Sequence, residues 1–513
     1  MKKNQFVILL SLLSFLFSCA TKEKMEDASS DKLAYTEEYR PQFHFSPSVN
    51  WINDPNGLVY LDGEYHLFYQ HNPYGTTWGH MSWGHAVTKD LLHWEHLPVA
   101  ITEYPDPLTG DSTMIFSGTA VIDKNNTSGL CESKDCMVAI YTSHVHAMGN
   151  GKMQHQSLAY SNDKGRTWKR YEKNPILDIK RKDFRDPKVF WYEPEQKWVM
   201  ALVIPDLYKV QLYQSKNLIN WKLMSEFGGI GDTLRIWECP DLYQLPIDNE
   251  PGKKKWVLSL SGSHPQGSAF VGMQYFVGEF DGAKFIVDDL KQSPRYVDYG
   301  KDFYAGIVYN NILEEDGRTI MIGWANNWTY GNQMPTSPWR GAMALPRVLS
   351  LRKQPEGYQL IQKPIAAIGT LRRAEIAEGT DISGKTLELE IEIQVDASKE
   401  AGVKILKSVE EETIIGYHAE TSELFLDRTR SGKIEFNKDF GSVERVHVNP
   451  IEGIIKLHVF IDHSLVEIFV NDGEVVLSES VFPTKSDATV ESYSIGGAGK
   501  VKLKAWELNS AWR

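Results

Sequence analysis

The sequence predicts an all-β protein in which a five-bladed β-propeller is followed by a C-terminal β-sandwich. Residues 43–346 are rich in Trp, Tyr, Val and Ile and contain Asp-Gly and Asn-Gly turns, which is typical of strands and hairpins. The same region repeats a two-strand pattern five times, at intervals of about 50 to 70 residues. The last part of the chain alternates apolar and polar residues, as the strands of a sandwich do.

Composition limits the classes of function that the chain can serve. The 513 residues are enough for two domains, and 42% hydrophobic with 24% charged residues is typical of a globular protein. A net charge of −12 argues against a nucleic-acid partner, which needs a basic surface. The 15 tryptophans fit both sugar stacking and a β-rich core.

The N-terminus predicts export. Lys2 and Lys3 precede an apolar run over residues 6–17, which is too short to span a bilayer and is typical of a signal peptide, here residues 1–18. The ending Leu-Phe-Ser-Cys resembles a bacterial lipobox, which predicts cleavage before Cys19 and lipid attachment to it. The alternative is a plain signal peptide in which Cys19 is incidental. Polar residues 19–37 then form a flexible tether, so we expect a lipoprotein at the cell surface or facing the periplasm, with no other membrane contact.

Three cysteines remain after Cys19, and an odd number excludes a complete disulfide framework. Cys131 and Cys136 are close enough along the chain to pair across a loop, and they are equally compatible with free thiols. Cys239 stands apart. No ligand spacing indicates zinc, and we predict no metal site.

The five repeated units predict the blades over residues 38–346. Each unit opens with a strand, turns at an acidic or Gly-containing loop, and returns as a second apolar strand. The opening strands are 57–60, 118–121, 188–191, 241–243 and 306–309. In three units a polar turn then leads to a tryptophan, as in an outer hairpin, at 88–94, 161–168 and 215–221.

The residues just before the opening strands are the candidate site, because the first strands of a propeller line one channel and their heads meet at one mouth. These heads are Asp54, Phe116-Ser117, Asp186, Glu238 and Asp302-Phe303-Tyr304. A turn-capping role explains one acid, but not three at nearly the same place in the repeat. Calcium binding is a rival explanation for three carboxylates. The aromatic residues nearby favour a sugar instead: Trp51, Trp78, Trp83, Trp237 and Trp324.

Three converging acids match the needs of glycoside cleavage with retention. One carboxylate attacks the anomeric carbon, and a second carboxyl group, about 5 to 5.5 Å away, donates a proton to the leaving oxygen. The polar turn around Asp54 predicts an ionised nucleophile. The apolar neighbours Trp237 and Cys239 predict a raised pKa for Glu238, as a general acid needs, and Arg185 predicts an anionic Asp186 that binds hydroxyls.

The motifs that carry these acids resemble those of glycoside hydrolase family 32, which includes invertases, inulinases, levanases and fructan β-fructosidases. The signature blocks are WINDPNG at 51–57, FSGT at 116–119, FRDPKVF at 184–190 and WECPDLY at 237–243. Further similar blocks occupy 70–85, 324–347 and 458–483. The usual Met of the first block is Ile52 here.

The resemblance implies a propeller plus sandwich, net retention, no cofactor, and a fructan, fructo-oligosaccharide or sucrose substrate. It implies that Asp54 is the nucleophile, Asp186 the transition-state stabiliser and Glu238 the acid/base. The residues that it places around a terminal fructose are Asn53, Gln70, Trp78, Phe116, Ser117, Arg185 and Trp324. Phe116 and Trp324 can also belong partly to the core, and the nearby His71, His80 and His85 are expected to be structural.

Beyond the propeller we predict a linker with a short helix over 347–380 and a sandwich over 381–513. No catalytic pattern appears in the sandwich, so we expect it to stabilise the propeller, with Asp462 and Glu467 as fold determinants. A carbohydrate-binding role is the alternative.

The leading hypothesis is an exo-acting, monomeric enzyme that releases fructose. Fructosyl transfer with the same acids is the alternative, and a non-catalytic fructan-binding lipoprotein is disfavoured because all three acids are present. Inverting arabinanases share the five-bladed plan but carry their acids in other motifs, further apart.

Overall fold

The computed structural model contains two packed β-modules. It describes residues 35–105, 110–132, 136–147, 149–263, 271–291, 293–395, 398–486, 488–497 and 499–512. The predicted signal peptide and the anchor Cys19 lie outside these residues. Within the described part of the chain, no helix is long and apolar enough to cross a membrane.

Five antiparallel sheets form the propeller blades. Blade one contains β1 (Asn50–Leu61), β2 (Glu64–Asn72), β3 (Ser82–Thr88) and β4 (Glu95–Ile101). Blade two contains β5 (Tyr104–Pro105), β6 (Ser112–Ile122), β7 (Met137–Ala147), β8 (Asn150–Ser161), β9 (Lys169–Arg170) and β10 (Leu177–Arg181). Blade three contains β11 (Arg185–Tyr192), β12 (Lys197–Ile204), β13 (Lys209–Ser215) and β14 (Lys222–Gly228).

Blade four contains β15 (Ile236–Pro246), β16 (Lys254–Ser263), β17 (Gly272–Phe280), β18 (Phe285–Val287) and β19 (Arg295–Tyr296). Blade five contains β20 (Tyr304–Val308), β21 (Thr319–Trp324), β23 (Arg347–Gln354) and β24 (Gly357–Pro364), while β22 (Trp339–Arg340) pairs in parallel with β1. Short 3-10 helices occupy Glu193–Glu195, Pro205–Leu207, Gly331–Gln333 and Ala366–Leu371. The inner strands β1, β6, β11, β15 and β20 contact one another in a closed ring. The five-bladed prediction is therefore confirmed.

Two six-stranded sheets form the predicted sandwich. The first has the order β25 (Arg372–Glu375), β36 (Val501–Leu508), β27 (Thr386–Gln394), β32 (Ile454–Asp462), β33 (Leu465–Val470), β34 (Val475–Ser480). The second has the order β26 (Ile382–Ser383), β35 (Thr489–Ile495), β28 (Glu400–Lys407), β29 (Glu412–His418), β30 (Glu423–Arg430), β31 (Val443–His447). Their core is built from the alternating apolar residues of these strands, such as Leu387, Leu389 and Ile391.

Three predicted boundaries are wrong. The propeller does not end at residue 346, because β23 and β24 complete the fifth sheet up to Pro364. The expected linker 347–380 therefore contains two blade strands, and the sandwich begins at Arg372, where β25 pairs with β36. The predicted tether also extends too far, because Tyr35 is already buried and stacks on Trp512, with ring centroids 4.3 Å apart.

Buried charges join the two modules. Arg347 of β23 pairs with Glu467 of the sandwich at 3.1 Å, and Arg428 pairs with Asp302 at 2.6 Å. Asp462 accepts hydrogen bonds from three successive backbone N–H groups at residues 42–44. These contacts agree with a structural role for Asp462 and Glu467. They also place Asp302 in the interface between the modules. Asp302, which was predicted to lie at the site, therefore does not reach it.

Candidate active site

A break in strand pairing creates the site at the same end of all five inner strands. Each strand pairs with its neighbour through a register shift, and each shift contains a tripeptide that ends in Pro or Gly: Asn53–Pro55, Phe116–Gly118, Arg185–Pro187, Glu238–Pro240 and Tyr304–Gly306. Proline cannot donate to the strand ladder, and a bulge re-aims the side chains around it. Asp186 and Cys239 accordingly have left-handed backbones, with φ of 63° and 45°. The sequence therefore turns side chains from separate blades toward one point.

Asp54 is a buried member of this cluster. Ser117 Oγ donates to its Oδ2 at 2.6 Å, and Asn53 Nδ2 donates to its Oδ1 at 3.0 Å. Asn53 is in turn oriented by the indole N–H of Trp51, 2.7 Å from Asn53 Oδ1. The carboxylate of Asp54 is thus held in a fixed orientation by three blade-one and blade-two residues.

Cys239 connects the first two acids. Its Sγ lies 3.4 Å from Asp54 Oδ2 and 3.8 Å from Asp186 Oδ2, and its backbone N–H donates to Asp186 Oδ2 at 3.0 Å. Burial and the neighbouring carboxylates raise the pKa of the Cys239 thiol well above its usual value. Cys239 is therefore a neutral donor that spaces Asp54 and Asp186.

Glu238 lies nearest to solvent among the three acids. Its side chain is 17% exposed, compared with 6% for Asp186. Arg185 Nη2 donates to Glu238 Oε1 at 2.9 Å, and the hydroxyl of Tyr304 donates to Oε2. Arg185 Nε also lies 3.7 Å from Asp186 Oδ2, so that one guanidinium faces two of the acids.

The pKa values of the two aspartates are both shifted upward. Burial raises the pKa of Asp54, against the hydrogen bonds from Ser117 and Asn53 that lower it. Burial also raises the pKa of Asp186 to about 7, because Arg185 offsets only part of the effect. The predictions that the polar turn keeps Asp54 ionised and that Arg185 keeps Asp186 anionic did not weigh this burial, which acts against ionisation at both positions.

The prediction of a raised pKa for Glu238 is wrong. Burial acts to raise its pKa, but the charge of Arg185 and hydrogen bonds from Ser263 and Tyr304 outweigh it, so the pKa of Glu238 is lowered. Trp237, which led to the opposite prediction, is fully buried in the core of blade four. Adjacent strand residues point to opposite faces, so Trp237 does not form the surroundings of Glu238.

The second tier of predicted residues is only partly at the site. Gln70 is buried and donates to the carbonyl of Ile115 at 3.0 Å, beside the Phe116–Ser117 segment. Trp78 is 37% exposed, and its ring approaches Phe116 at 6.1 Å, which gives the mouth an apolar edge. Trp324, by contrast, has no exposed surface. The expected direct sugar contact through Trp324 is therefore not seen.

Sequence reasoning assigned no contact with the acids to three residues that lie beside them. Tyr304 and Ser263 contact Glu238, and Cys239 bridges the aspartates. The sequence does contain a pattern that points to two of them. Cys239 lies in the Pro-ending tripeptide of Glu238, and Tyr304 begins the equivalent Gly-ending tripeptide of blade five. Cys131 and Cys136, left open above, form a disulfide bond. His71 and His85 make structural contacts, with the carbonyl of Trp51 and with His66.

The cluster is arranged for acid–base and nucleophilic work. Among the residues that the structure describes, no group of three or more His, Cys, Asp or Glu side chains is placed to hold a metal ion. An acid held by fixed donors beside a more open acid, with aromatic rings at the mouth, matches the pair of carboxyl groups used for glycosidic bonds. Fold and site together are those of a glycoside hydrolase.

Comparison with known proteins identifies the family within this class. Residues 44–364 match the model of the glycosyl hydrolases family 32 N-terminal domain, and residues 348–507 match the family 32 C-terminal model. The chain is 42% identical to a levanase of Bacillus subtilis, over 99% of this chain and 76% of that protein. It is 39% identical to an extracellular exo-inulinase of Aspergillus awamori, over 93% of this chain and 96% of that protein.

Solved structures agree with the sequence relatives. The crystal structure of the Aspergillus awamori exo-inulinase superposes with a TM-score of 0.86 at 38% identity, covering 93% of this chain and all of that one. A β-fructofuranosidase of Schwanniomyces occidentalis complexed with fructosyl-erythritol superposes at 0.83 with 32% identity, covering 92% of this chain and 98% of that one. The chain belongs to glycoside hydrolase family 32.

Proposed function

We propose that the protein hydrolyses β-fructosidic bonds in fructans and sucrose with retention, through a fructosyl ester on Asp54. The observation that carries this proposal is the fixed carboxylate of Asp54, held by Ser117 and Asn53, in one cluster with the more open Glu238. The named activities of the levanase and exo-inulinase relatives and the fructosyl ligand of the Schwanniomyces enzyme support the substrate class.

Each acid has one part in the two-step reaction. In the first step an oxygen of Asp54 bonds to the anomeric carbon while the bond to the leaving oxygen breaks and that oxygen takes the proton of Glu238. In the second step Glu238 removes a proton from water, and the water oxygen displaces Asp54. Asp186, beside Arg185, binds ring hydroxyls and stabilises the positive charge of the transition state.

The proton on Glu238 is gained when substrate binds. In the free site its pKa is lowered, chiefly because Arg185 and two hydroxyl groups overcome the effect of burial. A sugar over this most exposed acid removes water from it, and further burial raises the pKa of a carboxyl group. Binding and protonation of Glu238 thereby favour each other.

Product analysis tests the proposed function. With levan, inulin and sucrose as substrates, we expect free fructose from the start of the reaction, and we expect the newly released sugar to retain its anomeric configuration. Early accumulation of oligosaccharides would contradict an exo mode, and transfer products at high sucrose would indicate the fructosyltransferase alternative. No release of fructose from any of the three would contradict the proposal itself.

Tyr304→Phe is expected to move the pH profile in a defined direction. The hydroxyl of Tyr304 lowers the pKa of Glu238, so its removal raises that pKa. Glu238 must be protonated to act, so the variant keeps its proton to higher pH and the alkaline limb of kcat/KM moves to higher pH. The profile of Tyr160→Phe, an outer residue of blade two, serves as the control. An unmoved limb, or a shift to lower pH, would show that Tyr304 does not act on the acid.

We also propose that the protein is anchored through a lipid on Cys19, as an exported enzyme with its propeller and sandwich outside the inner membrane. The lipobox-like ending of the apolar run supports this, and the Aspergillus relatives are named as extracellular. Labelling cells with a fatty-acid analogue should mark the wild-type chain and leave Cys19→Ser unmarked. Equal labelling of both, or of neither, would contradict the anchor.

A further inference from the structure

A long hairpin of blade two places a histidine beside the mouth of the site. His144 of β7 stacks on Phe116, with ring centroids 4.3 Å apart and planes within 7° of parallel. Phe116 precedes Ser117, the residue that donates to Asp54, and its other neighbour is the exposed Trp78. His144 itself is half-buried. It therefore lies on the rim of the mouth, next to the aromatic edge that Phe116 and Trp78 form.

Gln154 of β8 fixes the protonation of that histidine. Its Oε1 accepts from the backbone N–H of Phe184 at 2.9 Å and lies 3.4 Å from Arg185 Nη1, so this atom is the carbonyl oxygen. The remaining amide nitrogen, Nε2, then donates to His144 Nδ1 at 3.1 Å. With Nδ1 as the acceptor, the ring proton lies on Nε2.

The Nε2–H group of His144 is a donor without a protein acceptor among the described residues. The adjacent strand carries Gly151, where a Cβ atom would lie 2.5 Å from His144 Cε1 and 3.0 Å from Nε2. The glycine thus leaves room for the ring and keeps its outer edge clear. Such a prepositioned donor at the rim of a sugar site is suited to a hydroxyl group.

The surrounding charges keep the ring neutral. Burial, followed by the charges of His146 on the same strand and of Arg185 and Lys182 from the approach to blade three, lowers the pKa of His144 to about 4. His146 is in turn held by Glu103 at 3.1 Å, on the segment between blades one and two. His144 is therefore a neutral, single-tautomer donor throughout the range in which glycosidases usually work.

We propose that His144 is a specificity residue for the leaving-group sugar, to which its Nε2–H donates a hydrogen bond, and that Gln154 is its positioning residue. This inference rests on the proposed fructosidase function and adds to it a contact outside the terminal fructose. Because Gln154 also contacts Arg185, which pairs with Glu238, the same amide connects the leaving-group rim to the acid. The contact selects oligosaccharides over fructosides whose leaving group lacks hydroxyls.

His144→Phe isolates the hydrogen bond, because phenylalanine keeps the stack on Phe116 and removes the donor. We expect kcat/KM for an inulin-type trisaccharide to fall about 3- to 10-fold, mainly through KM, as for loss of one neutral hydrogen bond. For methyl β-fructofuranoside, whose leaving group has no further hydroxyl, we expect a change of less than about twofold. His93→Phe, on an exposed turn of blade one, is the matched control.

Equal losses on the two substrates, or no loss on either, would overturn the inference. Such a result leaves the proposed function intact as long as the wild type cleaves both substrates. If the wild type cleaves neither, the proposed function fails first, so the two failures are distinguishable. Thermal unfolding of each variant identifies a loss caused by misfolding.

Gln154→Glu tests whether Gln154 acts through His144, because a purely structural role would not make substrate selectivity depend on pH. A carboxylate at this position still accepts from Phe184 and Arg185, but it faces His144 Nδ1 with a negative charge, which raises the pKa of the histidine. The same acids cleave the trisaccharide and the methyl fructoside, so their pH dependence cancels in the ratio of the two kcat/KM values. We expect this ratio to be flat between about pH 5 and 8 in the wild type and pH-dependent in the variant.

The double variant His144→Phe/Gln154→Glu completes the test. With no histidine to titrate, the ratio should again be independent of pH. A pH-dependent ratio in the double variant, or a flat ratio in Gln154→Glu alone, would contradict the assignment of Gln154 as the residue that positions His144.

Discussion

Asp54→Asn should lower kcat on sucrose and fructan by about 10⁴- to 10⁶-fold, the range seen when the nucleophile of a covalent mechanism is removed. The amide oxygen can still accept from Asn53, and the amide nitrogen, in the position of Oδ2, can donate to the hydroxyl oxygen of Ser117, so the geometry of the cluster is retained while the attacking charge is lost. Steady-state kinetics on purified protein measures the effect. Substrate binding should persist, because the other sugar-facing residues are unchanged.

Asp163→Asn is the matched control for this substitution. Asp163 lies on an exposed turn of blade two, just after the end of β8 that is remote from Gln154, and it also accepts hydrogen bonds from neighbouring side chains and backbone. We expect its kcat to stay within about twofold of the wild type, as is usual for surface substitutions. If Asp54→Asn keeps more than a hundredth of the wild-type kcat, Asp54 is not the nucleophile.

Glu238→Gln should lower kcat by about 10²- to 10⁴-fold on natural substrates, the usual contribution of a general acid. Glutamine retains the acceptor for Arg185 and the contact with Tyr304, but it has no proton to transfer. The loss should depend on the leaving group. With β-fructosyl fluoride, whose fluoride needs little protonation, the first step stays fast and the second step, which needs a base, becomes slow.

A burst of fluoride followed by slow turnover is the expected time course for this variant. Glu226→Gln, an exposed residue of β14 that pairs with Lys209, is the control and should show steady turnover. A loss of the same size on sucrose and on the fluoride would mean that Glu238 does not act as the acid in the first step.

Much of the fold could be predicted because each blade repeats a similar local sequence pattern. Apolar opening strands and turn residues recur in the five units, outer tryptophans recur in three of them, and together they specify the sheets. The fifth blade was cut short because its last two strands follow a break in the pattern. In β23 the buried Leu349 and Leu351 alternate with half-buried residues such as Ser350 and Arg352. Only the pairing of β23 with β21 shows that this segment belongs to the propeller.

The sequence predicts which acids form the site better than it predicts their pKa values. Asp54, Asp186 and Glu238 could be found from their recurrence at the strand heads, since the repeat brings those heads together. Their pKa values could not, because burial is the largest influence on all three acids, and Glu238 is also shifted by Arg185 from another blade. Tyr304 illustrates the same limit, since it belongs to a different blade from Glu238 and its contact with that acid is seen only in the folded chain.

The retaining mechanism depends on a covalent bond between fructose and Asp54, and this bond can be observed. Glu238→Gln should be incubated with β-fructosyl fluoride, quenched in acid, digested and analysed by peptide mass spectrometry. We expect one fructosyl unit on the peptide that contains Asp54, and no adduct in the Asp54→Asn/Glu238→Gln double variant. An unmodified Asp54 peptide during active turnover, or the adduct on Asp186 instead, would contradict the account.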